Sequence, residues 1–481
     1  MAKRVSTGAP GLDSILQGGL EEGHVYLVEG GPGTGKTTLA LQFLLAGVDR
    51  DEDCSCLYLT LSQSREELLG IAESHGLDLT GIEIVELLAA EVTDLSHTQT
   101  VIGTAEEELA DLIETIGAEV EKHQPRRVVI DSLAELRLIS SSMLRFRRAI
   151  LGLKGNLAKA RTTALLIEAF DGMGTVESSE LTTHGTIRLD WTAPDFGVTH
   201  RRLQVIKMRG SPFFEGFHDM TIETGGIVVF PRLVPRPEPR EVERWELRTG
   251  DETLDDLLGG GLPGNSTTLI TGDTGAGKSI LSAKLADATA RRGIKAGLFL
   301  FEEMRADVLE RARVIGLDFD DHIEQGLLNL EHFNPTETTQ GQIFRRIEEV
   351  VADGARLIVL DSLTGFVRTL RAGGELLPQF NALLNSLKQL GVASVMTLNE
   401  GAEHPAGQSE IDFSFLTDNV IRLSQYRQDG AIGRSIWVGK KRYGPHSRKI
   451  RALHIDPPGV TVRPIEGAFH VTADKTDDVS T

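Results

Sequence analysis

Two stretches of the chain bring glycines, a lysine and a hydroxyl together at one spacing. The first is Gly30-Gly31-Pro32-Gly33-Thr34-Gly35-Lys36-Thr37, with Thr38 next to it. The second is Gly272-Asp273-Thr274-Gly275-Ala276-Gly277-Lys278-Ser279. Both fit G-x-x-x-x-G-K-[ST], the pattern of a loop that wraps a nucleoside triphosphate. Gly31, Gly33 and Gly35, like Gly275 and Gly277, let backbone N–H groups close on phosphate oxygens where a side chain would stand in the way. Thr34, Thr274 and Ala276 complete the two cradles. Lys36 and Lys278 supply a point charge to the β- and γ-phosphates, and the hydroxyls of Thr37 and Ser279 are candidate Mg²⁺ ligands. A helix starting at either lysine adds the positive end of its dipole.

Two aspartates belong with these loops. Asp131 ends the run Arg126-Arg127-Val128-Val129-Ile130-Asp131, and Asp361 ends Arg356-Leu357-Ile358-Val359-Leu360-Asp361. A short apolar, β-branched run ending in a carboxylate reads as a buried parallel strand with the acid at its C-terminal edge. Asp131 and Asp361 are therefore the Walker B candidates for the metal.

The surrounding elements must position these groups. Each loop follows an apolar strand-type run (Val25 to Val28; Thr268 to Ile270) and precedes a helical pattern (Leu39 to Ala46; Ile280 to Ala290). Further alternation of strand and helix predicts an α/β fold built on mainly parallel sheets. The same displacement of 242 positions separates Thr7 from Thr249, Gly18 from Gly260 and Gly30 from Gly272. A repeat this long means duplicated domains. The expected division is 1–230, a Pro-rich linker at 231–244, a second domain at 245–464 and a polar tail at 465–481. Four prolines between Pro231 and Pro239 make the linker stiff and extended.

Composition narrows the class. The chain has 481 residues, 70 acidic against 50 basic, for a formal net charge of −20. So acidic a surface repels a nucleic-acid backbone unless a basic patch compensates. Arg145, Arg147 and Arg148 in the first half, and Arg368 and Arg371 in the second, are the candidates for such a patch. No run is long and apolar enough for a membrane span, and no signal-peptide pattern follows Met1. The expected compartment is the cytoplasm. Cys54 and Cys56, the two cysteines, are read as unbridged and as pointing to opposite faces of a strand. The histidines His75, His97, His123, His184 and His404 show no metal-ligand spacing, and Trp191, Trp245 and Trp437 are read as packing residues.

With both loops, both Walker B strands and the Thr-Gly…Gly-Gly-Leu lead-in segments in one register, the chain resembles the KaiC family of RecA-like ATPases up to about Pro464. The resemblance implies two tandem RecA-like P-loop domains, each stacked into a ring, with a homohexamer as the working unit and ATP with Mg²⁺ at the subunit interfaces. It implies an N-terminal ring that is a slow ATPase and assembly platform, and a C-terminal ring with Ser/Thr autokinase and autophosphatase activity. A KaiB-like or other signalling partner is implied in the same way. Two adjacent glutamates after the P-loop helix are the family's general bases, and here they are Glu302 and Glu303, expected on the strand Leu298 to Glu303. The first half has Ser62 and Gln63 instead, so that cradle is expected to bind nucleotide and hydrolyse it poorly. A Lys-x-Arg that reaches the neighbouring subunit's γ-phosphate has its counterparts in Lys207-Met208-Arg209 and Lys440-Lys441-Arg442. Ser414 matches the family's phosphorylated serine, Phe415 replaces its threonine, and Ser409 is an auxiliary hydroxyl. Clock members carry a longer tail than the few polar residues after Pro464. Two other readings use the same fold: a RecA-like DNA-dependent ATPase, and a nucleotide-gated scaffold.

Overall fold

The structure is a computed structural model. It describes residues 3–49, 54–87, 105–140, 142–169, 182–193, 198–233, 245–334, 336–369, 376–400, 413–428, 431–457, 459–466 and 470–471. Arg371, Ser409, His97, His404 and most of the expected linker and tail lie outside these residues.

The chain divides into two compact units whose main change-over lies between Arg232 and Leu233. In the first, nine strands form one sheet in the order Ile82–Glu86, Cys56–Thr60, Arg127–Asp131, Thr163–Ala169, Val25–Gly30, Gly185–Thr192, His200–Met208, Phe217–Glu223, Gly226–Phe230. The pairings are parallel through Gly185–Thr192 and antiparallel beyond it. The second unit repeats this order with Leu328–His332, Ala296–Leu300, Leu357–Asp361, Ala393–Asn399, Thr267–Gly272, Asn419–Gln428, Ala431–Lys441, Arg451–Asp456 and Gly459–Pro464. His470–Val471 adds to the strand Asn419–Gln428. These are two tandem RecA-like P-loop folds, duplicated as the sequence repeat predicts and of the type the family resemblance implies.

The strands are apolar on both faces because both faces are covered. Strand alternation then sorts their side chains. In the first unit Tyr26, Val28, Tyr58, Val129 and Leu165 pack with Leu39 and Phe43 of the helix Lys36–Val48. Their neighbours Val25, Leu27, Leu57, Val128 and Ile130 pack with Ile116 and Ile150 of Ala105–His123 and Met143–Lys159. In the second unit Ile270, Leu298 and Val359 meet Leu281 of Lys278–Arg291, while Leu269, Phe299 and Ile358 meet Ile343 and Phe380 of the helices opposite. Each buried side chain of this size contributes about 1.5–3 kcal/mol. The two-sided cover makes the central strands rigid, and their C-terminal ends carry the loops of interest.

Each P-loop helix starts on a glycine that only glycine suits. Gly35 has φ +99° and Gly277 φ +103°. A Cβ on Gly277 would also stand 2.7 Å from Ile455 Cδ1. A further shared feature carries no sequence signal. The register slips between Thr186 and Ile187 in one sheet and between Val420 and Ile421 in the other. The extra residues opposite are Ile206 and Gly439, one position before Lys207 and Lys440.

The cysteine expectation is corrected. Both thiols are buried and free, and the two Sγ atoms are 3.8 Å apart. Residues two apart share a face of an extended chain. Trp191 is also not a core residue: it is 42% exposed.

Candidate functional site

In both units the glycine loop joins the C-terminal end of a central strand to a helix, so backbone N–H groups and the helix dipole converge on one spot. Lys36 Nζ donates to Gly30 O at 2.7 Å and Gly31 O at 2.8 Å. Lys278 Nζ does the same to Gly272 O at 2.8 Å and Asp273 O at 2.7 Å. Both ammonium groups thus lie folded over their own loops. Burial pushes both lysines below their ordinary value, with Asp131 and Asp361 pulling the other way. Thr34 Oγ1 closes the first loop on Gly31 O at 2.8 Å. Thr38 is buried in the first turn of its helix, and Ala276 is buried in the core, so only its backbone faces the cradle. Gly33 and Gly275 have open space where a Cβ would stand.

The Walker B aspartates meet the loop hydroxyls. Thr37 Oγ1 is 3.5 Å from Asp131 Oδ2, and Ser279 Oγ donates to Asp361 Oδ1 at 3.2 Å. Burial raises both carboxyls above their ordinary value. Donors from neighbouring strands offset this: Tyr58 OH to Asp131 Oδ2 at 2.6 Å, and Thr397 Oγ1 to Asp361 Oδ1. The two units solve one problem from different strands. Leu298 stands in the place of Tyr58, and Ile167 in the place of Thr397.

Glu302 and Glu303 are not on the strand, as expected, but two and three residues past its end at Leu300. Phe301 N still donates to Asp361 O at 2.9 Å. Beyond it the chain bends, so both carboxylates turn toward the loop rather than into the sheet. Glu302 Oε2 accepts from Ser362 Oγ at 2.8 Å. Glu303 accepts a two-pronged pair from Arg311, at 2.7 and 2.5 Å. Thr274, Lys278, Ser279, Glu302, Glu303 and Asp361 line one cleft of about 370 Å³. Arg434 reaches it too, donating to Gly275 O at 3.1 Å. In the first unit Ser62 is exposed, and Gln63 bonds through its backbone to Thr60 Oγ1. Gln63 Oε1 is buried with no hydrogen-bond partner among the described residues.

The structure does not bring the other expected residues to this cleft. Lys440 Nζ donates to Ser414 O at 2.9 Å and Thr417 O at 2.7 Å. Arg442, just past the strand end, faces Asp418 at 3.4 Å. Ser414 sits in the 3₁₀ turn Phe413–Leu416, half-buried beside the exposed Phe415. None of the three lines the chain's own cleft. Lys207 is half-buried opposite Thr186, and Arg209 is exposed with its N–H on His184 O at 2.9 Å.

Sequence reading missed Ser362, Arg311, Thr397, Arg434 and Tyr58. Tyr58, Thr397 and Arg434 reach the loops from strands that are neighbours only in the sheet, Arg311 from the helix Arg305–Val314, and Ser362 from just past the strand Leu357–Asp361. It also missed Trp191, whose Nε1 donates to Pro32 O at 3.0 Å in the first loop. No described helix is long and apolar enough to cross a membrane.

A family model described as "ATPase: KaiC" matches residues 5–234 and again 247–467. The circadian clock oscillator protein KaiC of Picosynechococcus sp. is 29% identical over 470 residues, covering 96% of this chain and 90% of the relative. KaiC of Acaryochloris marina is 29% identical over 476 residues, covering 97% and 89%. KaiC 1 of Synechocystis sp. is 28% identical over 470 residues, covering 96% and 89%.

Proposed function

This chain belongs to the KaiC family of ATPases, and we propose that it is an ATP-driven autokinase and autophosphatase whose chemistry is concentrated in the second unit. The observation that carries this reading is the asymmetry of the two cradles. The second faces Glu302 and Glu303, while the first faces Ser62 and Gln63.

In this reading Lys278 and the loop N–H groups bind and orient the phosphates. Ser279 and Asp361 are the residues that would hold Mg²⁺, which neutralises developing phosphate charge when bound. Their 3.2 Å separation and paired acid and hydroxyl fit a hard cation. Glu302, aimed by Ser362, takes the proton from an attacking hydroxyl. Glu303, neutralised by Arg311, adds to the field and keeps Arg311 at the cleft wall. Attack by water gives hydrolysis, and attack by a side-chain hydroxyl gives phosphorylation.

Ser414 is the proposed acceptor. It lies away from its own cleft, so transfer runs between neighbouring copies in a ring, a homohexamer by the family pattern. Lys440 and Arg442, gathered at the Ser414 turn, would meet the neighbour's phosphates. Lys36, Thr37 and Asp131 hold a second nucleotide with little turnover, for which Thr37 and Asp131 supply the metal ligands and Lys207 and Arg209 the contacts across the interface. A signalling partner is proposed on the same grounds. Their test is to incubate the full chain with γ-labelled ATP and Mg²⁺. Label is expected both as free phosphate and on the protein, with both lost in Glu302→Gln. Equal label in that variant would overturn the reading.

A further inference from the structure

In the first unit, His24 immediately precedes the strand Val25–Gly30, and His184 immediately precedes its parallel neighbour Gly185–Thr192. The glycine loop leaves the other end of that strand, so the histidines sit at the edge of the sheet away from the phosphate cradle. The short strand Leu20–Glu21 brings Glu21 beside them. One ligand atom from each of Glu21, His24 and His184 lies within 4.8 Å of the others.

The hydrogen bonds leave these atoms pointed at each other. His24 Nδ1 lies 2.9 Å from Glu22 O. A carbonyl only accepts, so Nδ1 carries the proton and Nε2 keeps its lone pair. His184 Nε2 is buried with no hydrogen-bond partner among the described residues. It stands 3.5 Å from Glu21 Oε2. Two atoms bound to one tetrahedral ion at about 2.1 Å lie about 3.4 Å apart. A separation that makes no hydrogen bond therefore matches two ligands of a shared cation. Glu21 is held in place independently: its backbone N–H and C=O both bond Tyr26 OH, at 2.8 and 3.0 Å. The imidazole rings are 4.0 Å apart between centroids and tilted by 47°, so they do not stack flat.

We propose that Glu21, His24 and His184 form a binding site for a borderline divalent transition-metal ion, Zn²⁺ in preference to Mg²⁺ or Ca²⁺. Two imidazoles and one carboxylate select that class, and a water completes the tetrahedron. The ion pins the lead-in segment to two central strands. Through the bond from Arg209 N to His184 O, it also steadies the end of the Lys207-Met208-Arg209 segment. The second unit has Pro263, Ser266 and Asp418 at the matching positions and lacks the site. A second cluster, Asp287, Asp318 and His322, is closed by Arg291, which bonds Asp287 at 2.8 Å and Asp318 at 2.6 Å, whereas Arg4 stands 3.9 Å from Glu21 on Oε1, the oxygen that does not face His184.

The test uses the full chain, stripped with a chelator and free of nucleotide, titrated with Zn²⁺ in excess Mg²⁺. The expected result is one tightly bound Zn²⁺ per chain and a higher melting temperature with Zn²⁺. Co²⁺ in its place should give visible ligand-field bands. His24→Gln and His184→Gln should each weaken Zn²⁺ binding by roughly 100-fold and remove the bands. The metal-free melting temperature shows whether each variant folds. If His184→Gln does not, His24→Gln decides. No Zn²⁺ bound by the wild type at micromolar concentration, or equal binding by the His24→Gln chain, would overturn the proposal.

Discussion

Ser362 Oγ donates a 2.8 Å hydrogen bond to Glu302 Oε2, and the first unit has serines, Ser132 and Ser62, at both of the matching positions. The hydroxyl fixes the carboxylate's direction at the cleft. Ser362→Ala should therefore lower kcat by roughly 10- to 100-fold while leaving KM for ATP unchanged. Steady-state kinetics on the full chain check this. A rise in KM with kcat intact would assign Ser362 to binding instead. Ser132→Ala should change neither.

Burial raises the Asp361 carboxyl above its ordinary value of 3.8. An acid whose folded value is raised favours the folded state most below its unfolded value, and that contribution is lost as pH climbs through the folded value. Burial of the Asp361 carboxyl thus contributes less to the nucleotide-free fold as pH rises. Asp361→Asn should raise the nucleotide-free melting temperature near pH 7, by roughly 2–4 °C for each kcal/mol gained. The gain should shrink as pH falls toward 3.8. Thermal melts across pH measure it. An equal gain at every pH would show that the charge is not the cause.

Tyr58 OH gives Asp131 its shortest hydrogen bond, 2.6 Å. Tyr58→Phe leaves a buried carboxylate short of a donor and should destabilise the first unit by about 1–3 kcal/mol. Hydrogen exchange along Arg127–Asp131 should quicken, while Leu357–Asp361 in the second unit is unaffected. Unchanged exchange in both strands would argue against the role given to Tyr58.

Ser414 should gain one phosphate when the wild type is incubated with ATP and Mg²⁺, seen as a single added mass on the intact chain. Ser414→Ala should abolish it. Phosphate on another residue in that variant would move the acceptor elsewhere.

How much of this was legible depended on whether a feature is local. The glycine loops, the two Walker B strands and the tandem repeat are contiguous motifs, and with the strand–helix alternation they made the fold class legible. Glu302 and Glu303 were legible as residues, yet the bend after Leu300 that aims them was not, because it comes from the ladder ending at Asp361. Tyr58 and Thr397 serve equivalent aspartates from different strands, so comparing the two halves residue by residue hides both. The slips opposite Thr186 and Val420 depend on strand pairing alone. His24 and His184 meet only because their strands are neighbours in the sheet, which spacing along the chain does not reveal.

The central claim is that turnover belongs to the cleft of Glu302 and Glu303. It is tested most directly by phosphate release from full-length Glu302→Gln/Glu303→Gln, with nucleotide binding measured on the same sample. The account expects a loss of roughly 10²- to 10⁴-fold in rate with both nucleotides still bound. A variant that kept half of the wild-type rate would place the chemistry in the first cradle and contradict it.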